Sequence, residues 1–386
     1  MTLPYDLLVV GAGPVGCVVA ERAAKVLNWR VLVIDRRHHI AGNCYDGPYR
    51  NGVFIHHYGP HYFRTRDRGV FRYLSQFTDW SSASYIVRSL YRGKLYPFPI
   101  NLDTLEIFFS RKFTPDEAQS FLKERQVFSL ERSSKDVVCR DVGEELYKAF
   151  YRDYTRKQWG VDASQLAPEV CGRIPVRFHR DPRYPDAPFQ MMPDQGFTVL
   201  FSRMLYHPRI TVQLGVDFKS IRSRPVPVTV YTGPIDEYFD YCYGRLPYRS
   251  LQFEHVIVPR ERIQPCVQIN YPDFETPFTR SVEIKHISGQ VHPETVVTFE
   301  KPQSVGEPFY PVPTPTTSAL YERYRLRAEW ETVHRRVYFC GRLAQYRYFN
   351  TDQVIREALT CFRNIRQRFV PHRLHLSASE ISYELE

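Results

Sequence analysis

A short apolar run at residues 7–10 ends in Gly11-Ala12-Gly13-Pro14-Val15-Gly16, and this constrains the chain more than anything else in it. Apolar residues then recur at helical spacing to Lys25, and a second apolar run follows at 31–34. Strand, glycine turn, helix and strand in that order make half of a dinucleotide-binding fold. Gly11 permits the tight turn. Gly13 lets backbone N–H groups, with Pro14 and Val15 opening the helix, approach a pyrophosphate at the positive helix end, and Gly16 allows helix and strand to pack closely. Asp35 ends the second strand, where a carboxylate accepts hydrogen bonds from a ribose diol. That suits the unphosphorylated adenosine of FAD or NAD rather than NADP.

Two further stretches favour a flavin over NAD. Arg36 follows the acid, and Ile40-Ala41-Gly42-Asn43 comes next, a pattern that resembles the extended fingerprint of glutathione-reductase-like flavoproteins. Tyr58-Gly59-Pro60-His61-Tyr62-Phe63 is a second tight turn, flanked by aromatics, of the kind that can approach a flat cofactor.

Composition narrows the function classes. With 386 residues, 43% hydrophobic and 15% aromatic, the chain is long enough for two or three domains and is not a disordered type. The net charge of +10 comes from 52 basic residues spread along the whole sequence, so acidic small substrates explain it and nucleic acid is not expected as a partner. No apolar segment is long enough to span a bilayer, so no membrane association and a cytoplasmic location are expected. Eight cysteines with no CxxC pair indicate buried free thiols, with no metal site and no disulfide framework.

The remaining pattern predicts an α/β protein: an FAD-binding Rossmann-like domain with a helical insertion and an antiparallel β-sheet domain. Residues 70–77 look helical. Residues 85–96 alternate as a hairpin about Tyr91-Arg92-Gly93-Lys94, and 102–159 turn to helical spacing, with Thr114-Pro115-Asp116-Glu117 as a helix start. Residues 168–193 show no clean period and read as a long irregular loop. A helix at 196–205 and strands at 210–213 and 228–231 return to the nucleotide sheet. Segments 251–257, 266–270, 280–286 and 296–299 alternate as antiparallel strands, and a strand at 337–340 and a helix at 352–369 close the chain. The expected division is 1–79, 194–247 and 315–386 for the nucleotide domain, 100–172 for the helical domain, and 80–99, 173–193 and 248–314 for the sheet domain.

Ten motifs in order carry a resemblance over nearly the whole chain: YDLLVVGAG, GNCYD, YGPHYF, FPINL, YTRKQWG, GRIPVR, YTGPIDEYFDYCYGRLPYRS, PFTRSVEIKH, PFYPV and GRLAQYRYFNTD. On these the chain resembles the UDP-galactopyranose mutase family. The resemblance implies interconversion of the pyranose and furanose forms of a sugar nucleotide, with N5 of reduced FAD attacking the anomeric carbon and no net redox change. It implies an external reductant such as NAD(P)H or a flavin reductase, and it is compatible with a homodimer. It assigns Arg173 and Arg280 to the departing diphosphate, which guanidinium forks suit better than ammonium groups. Tyr184, Tyr310 and Tyr348 match diphosphate-contacting tyrosines, Trp159 lies near the sugar, and Tyr154 stacks on the base with Phe150 and Tyr151 close by. Thr155, Asn270 and Asn350 complete the implied substrate set. His61 is implied beside the flavin, acting through position and backbone. The same resemblance assigns Gly42, Asn43, Tyr58, Gly341, Arg342 and Thr351, with Tyr348 and Asn350, to the cofactor.

Three departures stand out. Asn350 takes the place of a family aspartate, Pro313-Thr314 replaces Asn-Asp, and Tyr85 stands where bacterial enzymes carry a smaller polar residue. All three are expected where sugar and base are read. Alternatives are the same chemistry on a dTDP-6-deoxyhexose, a UDP-N-acetyl sugar or a GDP-sugar, and an amine-oxidase-like flavin oxidoreductase, which shares the fingerprint but has no need of paired phosphate-binding arginines.

Overall fold

The computed structural model describes residues 3–127, 130–184, 187–224 and 226–369. A five-stranded parallel sheet runs in the order Ile210–Leu214, Val31–Asp35, Leu7–Val10, Val228–Tyr231 and Val337–Phe339. Leu7–Val10 and Val31–Asp35 are apolar runs because both their faces are covered, the rule for parallel sheets, while the edge strand Ile210–Leu214 is largely exposed. The helix Pro14–Leu27 buries Val15, Val18, Val19 and Ala23 against one face and packs on the closing helix Thr351–Phe369. Gly11, Thr232 and Gly341 all follow the carboxyl ends of sheet strands, the edge where open α/β sheets bind ligands.

A seven-stranded sheet forms the second layer, ordered Tyr310–Pro311, Tyr248–Val258, Thr295–Gln303, Arg280–Val282, Gln268–Asn270, Val87–Tyr91 and Lys94–Phe98. It is mixed rather than purely antiparallel, because Gln268–Asn270 pairs in parallel with Val87–Tyr91. The hairpin Val87–Tyr91 and Lys94–Phe98 precedes the helical region and joins the edge of the later meander, so no tight turn fixes its direction. The helical region holds Leu102–Phe109, Pro115–Lys123, Ser134–Leu146, a π-helical stretch Tyr147–Arg152 and Asp153–Trp159. Asn101 and Thr114 start the first two with capping boxes, which satisfy N–H groups that the helix cannot.

Other departures from the sequence pattern have local causes. The expected strand at 280–286 stops at Val282 and gives way to a helical turn, Lys285–Ser288. There the buried Glu283 carboxylate accepts from Gln264 N at 2.8 Å, while Lys285 Nζ donates to the carbonyls of Glu261, His292 and Glu294. The stretch 168–193 is not irregular throughout. It starts with a helical turn, Glu169–Gly172, and ends in a strand, Phe189–Pro193, that pairs with Phe63–Thr65 and Trp80–Ser82. Residues 185 and 186 of that stretch, and 370–386 of the expected nucleotide domain, lie outside the described residues. A 21-residue helix, Pro315–Arg335, was not signalled by the pattern, because it buries only Thr317, Tyr324, Ala328 and Glu331. Seven of the eight free cysteines are buried as expected, and Cys242 is exposed. Among the described residues no helix is long and apolar enough to cross a membrane.

The first turn tolerates no side chain at Gly11 or Gly16. A Cβ at Gly16 would stand 1.9 Å from the Gly11 carbonyl oxygen, and one at Gly11, where φ is +107°, would stand 2.0 Å from Thr232 Oγ1. Gly16→Ala is therefore expected to cost ~2 kcal/mol or more through main-chain displacement. It should also lower flavin content in the purified protein, and thermal melts with flavin absorbance check both.

Candidate functional site

The nucleotide cavity lies over the carboxyl edge of the parallel sheet and is lined by Gly11, Gly13, Pro14, Val15, Asp35, Arg36, Gly42, Asn43, Gly341 and Arg342. Asp35 is fixed through both carboxylate oxygens: Ala12 N donates to Oδ2 and Arg37 N to Oδ1, each at 2.8 Å. Each oxygen keeps a further acceptor position for a diol. Ala41 adopts a left-handed conformation (φ 69°), and its N–H donates to Ala12 O at 2.8 Å. This brings Gly42 so close that a Cβ there would lie 2.9 Å from Gly13 Cα. Two glycines in backbone contact at a helix N-terminus make a cradle for a pyrophosphate. Arg36 stays on the cavity wall, paired at 3.7 Å with Glu237, which also lines it. Arg37 pairs with Glu307 and donates to Asn43 Oδ1 at 2.9 Å, with its guanidinium 4.5 Å above the Tyr58 ring.

A second cavity of ≈ 420 Å³ adjoins the first, and both are lined by Asn43, His61, Arg342 and Thr351. Its helical wall follows i, i+4 spacing: Phe150, Tyr154 and Gln158 in one row, Tyr151, Thr155 and Trp159 in the next, all on the cavity. The π-helical stretch before Asp153 lets these rows face inward, a common use of such bulges. The helix Asp153–Trp159 is clamped to the sheet. Lys157 Nζ donates to the carbonyls of Thr276 and Phe278, each at 3.0 Å, and the buried Arg249 guanidinium donates to the carbonyls of Lys157 and Gln158 at its C-terminus.

Strand register supplies the opposite wall. Asn270 pairs with Arg280 and Arg280 with Glu300, so the three side chains form one cross-strand row. Glu300 is fully buried, and its Oε2 accepts from Arg280 Nε at 2.7 Å. Arg280 Nη2 reaches Tyr310 OH at 3.4 Å. Beside it Tyr85 OH donates to Gln268 Oε1 at 2.6 Å, and Gln268 Nε2 donates to Asn270 Oδ1 at 2.7 Å. That chain orients Asn270 by one bond to its oxygen and leaves its amide donors for the cavity.

Three guanidiniums and three aromatics close the end near His61. Arg173, which ends the turn Glu169–Gly172, lies 3.9 Å above the Tyr348 ring, and Arg342 lies 5.0 Å above it. Tyr348 stacks on Tyr310 at 5.4 Å, and Trp159 meets both at 6.1 Å. Burial alone would raise the Tyr348 hydroxyl, but Arg173, Arg342 and Arg280 together hold it down at about 8. Tyr310 goes the other way, pushed up to about 12 by burial despite Arg280. His61 Nδ1 lies 2.9 Å from Gly59 O and so must carry the proton, leaving Nε2 as an acceptor.

All twelve implied substrate residues line this cavity: Phe150, Tyr151, Tyr154, Thr155, Trp159, Arg173, Tyr184, Asn270, Arg280, Tyr310, Tyr348 and Asn350. Of the implied cofactor residues, Tyr58, Tyr348 and Asn350 border the second cavity and not the first, and Gly16 lies beneath the turn rather than on the cavity. Of the three departures, Tyr85 and Asn350 line the second cavity. Pro313-Thr314 does not: Thr314 is the N-cap of Pro315–Arg335, its hydroxyl accepting from Thr317 N at 3.2 Å, so that change starts a helix rather than reading sugar or base. Sequence reasoning missed Glu300, Arg37, Tyr62 and Arg64. Glu300 was hidden in an alternating strand, although its register opposite Arg280 follows once the strands are paired.

The sequence family described as UDP-galactopyranose mutase matches residues 149–348, and a NAD(P)-binding Rossmann-like domain matches residues 9–77. The chain is 36% identical to a probable UDP-galactopyranose mutase of Klebsiella pneumoniae, covering 92% of this chain and 93% of that protein. It is 33% identical to a dTDP-fucopyranose mutase of Escherichia coli, covering 92% and 97%. It is 31% identical to a UDP-galactopyranose mutase of Mycoplasma genitalium, covering 91% and 92%. In fold it is similar to a crystal structure of reduced UDP-galactopyranose mutase, with a TM-score of 0.76 at 15% identity over 94% of both chains. A fatty acid isomerase from P. acnes is a more distant neighbour, with a TM-score of 0.58 at 11% identity over 96% and 100%.

His56, buried behind the site, and His61, at the junction, set a pH dependence. Burial first, and then His57 for one and His56 and Arg342 for the other, push His56 and His61 down to about 3 from an ordinary 6.5. Between those values the unfolded chain binds protons that the native state refuses. Stability therefore falls as pH falls, by up to about 1.4 kcal/mol per pH unit for the buried His56 and by less for His61, which borders the cavities. Thermal melts from about pH 7 to about pH 4 should show a steady decline, less steep in His61→Asn. A midpoint that is flat or rising on acidification contradicts the burial assigned to the pair.

Proposed function

From the premise that this chain belongs to the UDP-galactopyranose mutase family, and so is a flavin-dependent pyranose–furanose mutase of a sugar nucleotide, we propose that it binds FAD and acts on UDP-galactopyranose. The observation that carries this reading is the adjacency of the two cavities through Asn43, His61, Arg342 and Thr351. A cradle for a dinucleotide and an anion site ringed with aromatics meet edge to edge. Bound and reduced, FAD would supply a nucleophilic N5 for the anomeric carbon and leave the overall redox state unchanged.

The chain's own residues divide the remaining work. Gly13, Gly42 and the helix N-terminus hold the pyrophosphate, and Asp35 the ribose. Arg173 and Arg280 neutralise the departing diphosphate and keep it near the sugar until recapture, with Tyr184, Tyr310 and Tyr348 donating to its oxygens. Groups of this kind contribute on the order of 10²–10³ in rate. Phe150, Tyr151 and Tyr154 hold the base, Asn270 donates to the sugar, and Trp159 excludes water. An external reductant such as NAD(P)H or a flavin reductase charges the cofactor.

A second reading, turnover of a dTDP-6-deoxyhexose, is favoured by the dTDP-fucopyranose mutase relative and by Asn350. The Asn350 side chain lines the cavity and makes no hydrogen bond to a described residue, so its amide is available to substrate. Incubating the dithionite-reduced protein with a panel of sugar nucleotides and resolving pyranose from furanose forms tests both readings. Furanose product from UDP-galactopyranose, with silent oxidised enzyme, is expected. Equal turnover by oxidised and reduced enzyme overturns the proposed use of reduced FAD. Asn350→Asp is expected to raise kcat/KM for UDP-galactopyranose relative to the rest of the panel. An unchanged ratio makes Asn350 a neutral replacement.

A further inference from the structure

His56 and Asp46 are buried, stand opposite each other on the paired strands Asp46–Pro48 and Phe54–His56, and have no part in the proposed chemistry. His56 Nδ1 accepts from the main-chain N–H of His61 at 2.9 Å. A ring nitrogen that accepts carries no proton, so the neutral imidazole must hold its proton on Nε2. That atom has no hydrogen-bond partner among the described residues and lies 3.9 Å from Asp46 Oδ2.

Asp46 is itself fixed from the far side. Phe197 N donates to Oδ2 at 2.7 Å and Thr198 N to Oδ1 at 2.8 Å, so the carboxylate caps the helix Gly196–Leu205. Gly196 allows the approach, because a Cβ there would meet Asp46 Oδ2 at 2.9 Å. Burial raises the Asp46 carboxyl, and the N–H donors of Thr198 and Phe197 at the helix N-terminus counter it; a carboxylate held there favours an N–H facing it. The series runs from helix to Asp46, to the tautomer of His56, to the main chain of His61. It ends at His61 Nδ1, which donates to Gly59 O at 2.9 Å and leaves Nε2 bare on the side chain that borders both cavities.

We propose that Asp46 and His56 are positioning residues for His61, fixing its main chain so that it presents an unprotonated Nε2, a hydrogen-bond acceptor, where the two cavities meet. The group it faces there is an N–H or O–H donor of the bound cofactor or sugar. The inference rests on the proposed reading only in placing that donor. The tautomers and the His61 geometry are properties of the protein alone.

Three variants separate positioning from packing. The amide of His56→Asn places an acceptor near the Nδ1 position, whereas His56→Gln carries its amide to the Nε2 position and His56→Leu supplies no acceptor. With UDP-galactopyranose as substrate, His56→Leu and His56→Gln are expected to lose roughly 10²-fold in kcat with little change in KM and to shift the absorption bands of the bound flavin. His56→Asn should recover most of kcat and the wild-type spectrum. Wild-type kcat and spectrum in His56→Leu, or equal loss in the Asn and Leu variants, overturns the proposal. Nitrogen-15 histidine labelling of the wild-type holoprotein gives a measurement that needs no variant and no turnover. His56 should appear as the Nε2–H tautomer and His61 as the Nδ1–H tautomer, and the reverse assignment for either ring rejects the scheme. Failure of the sugar-nucleotide panel with the tautomers as stated would count against the substrate reading and leave the positioning intact.

Discussion

A carboxylate removed from water at the edge of a binding cavity is costly unless it is paired, and Glu300 is paired once, through Oε2 to Arg280 Nε. Much of the site's geometry follows from that contact. It fixes the plane of the Arg280 guanidinium, so that Nη2 points to Tyr310 and the fork stays open to an anion. It also explains the glycine in the His61 turn, since a Cβ at Gly59 would lie 2.8 Å from the second oxygen of Glu300. Removing one partner of such a pair costs roughly 3–5 kcal/mol because the other is left buried and charged. One carboxylate against Arg173, Arg280 and Arg342 still leaves the region positive, as a site that receives and releases a diphosphate requires.

Different parts of this arrangement were legible in the sequence for different reasons. The glycine fingerprint and the parallel strands could be read because their constraints are local: a turn that excludes Cβ atoms, apolar runs of strand length, an acid at a strand end. The twelve substrate residues could be read only through motif order, since nothing in the spacing of Phe150, Arg173, Asn270 and Tyr348 brings them together. Tertiary packing does that, since Phe150 is on a helix, Arg173 ends a helical turn, Asn270 is on a strand and Tyr348 is in a loop. Glu300 was missed for the same reason, because a glutamate in an alternating strand looks like a solvated face until it is paired opposite Arg280. The helix Pro315–Arg335 escaped because a long helix with one narrow buried stripe carries almost no apolar periodicity. Pro313-Thr314, read as a change in substrate recognition, is a capping signal that only the helix behind it makes intelligible.

The stacked pair Tyr310 and Tyr348 shows how few charges tune this cavity. Both rings are buried in one cage, yet Tyr348 is lowered to about 8 and Tyr310 raised to about 12. Arg342 lies over both rings and Arg173 over Tyr348, while Tyr310, raised first by burial, is raised further by the charge of Tyr348 and then of Glu300. The same cations that would receive a diphosphate therefore bring one phenol to the edge of ionisation. An arriving diphosphate draws on that positive potential and favours the protonated form of both phenols, the state in which each can donate to an oxygen. Departure of the anion reverses the effect. The cage is most positive, and Tyr348 most acidic, when it is empty, so anion affinity and phenol acidity are two readings of one electrostatic field, set by three arginines and one buried glutamate.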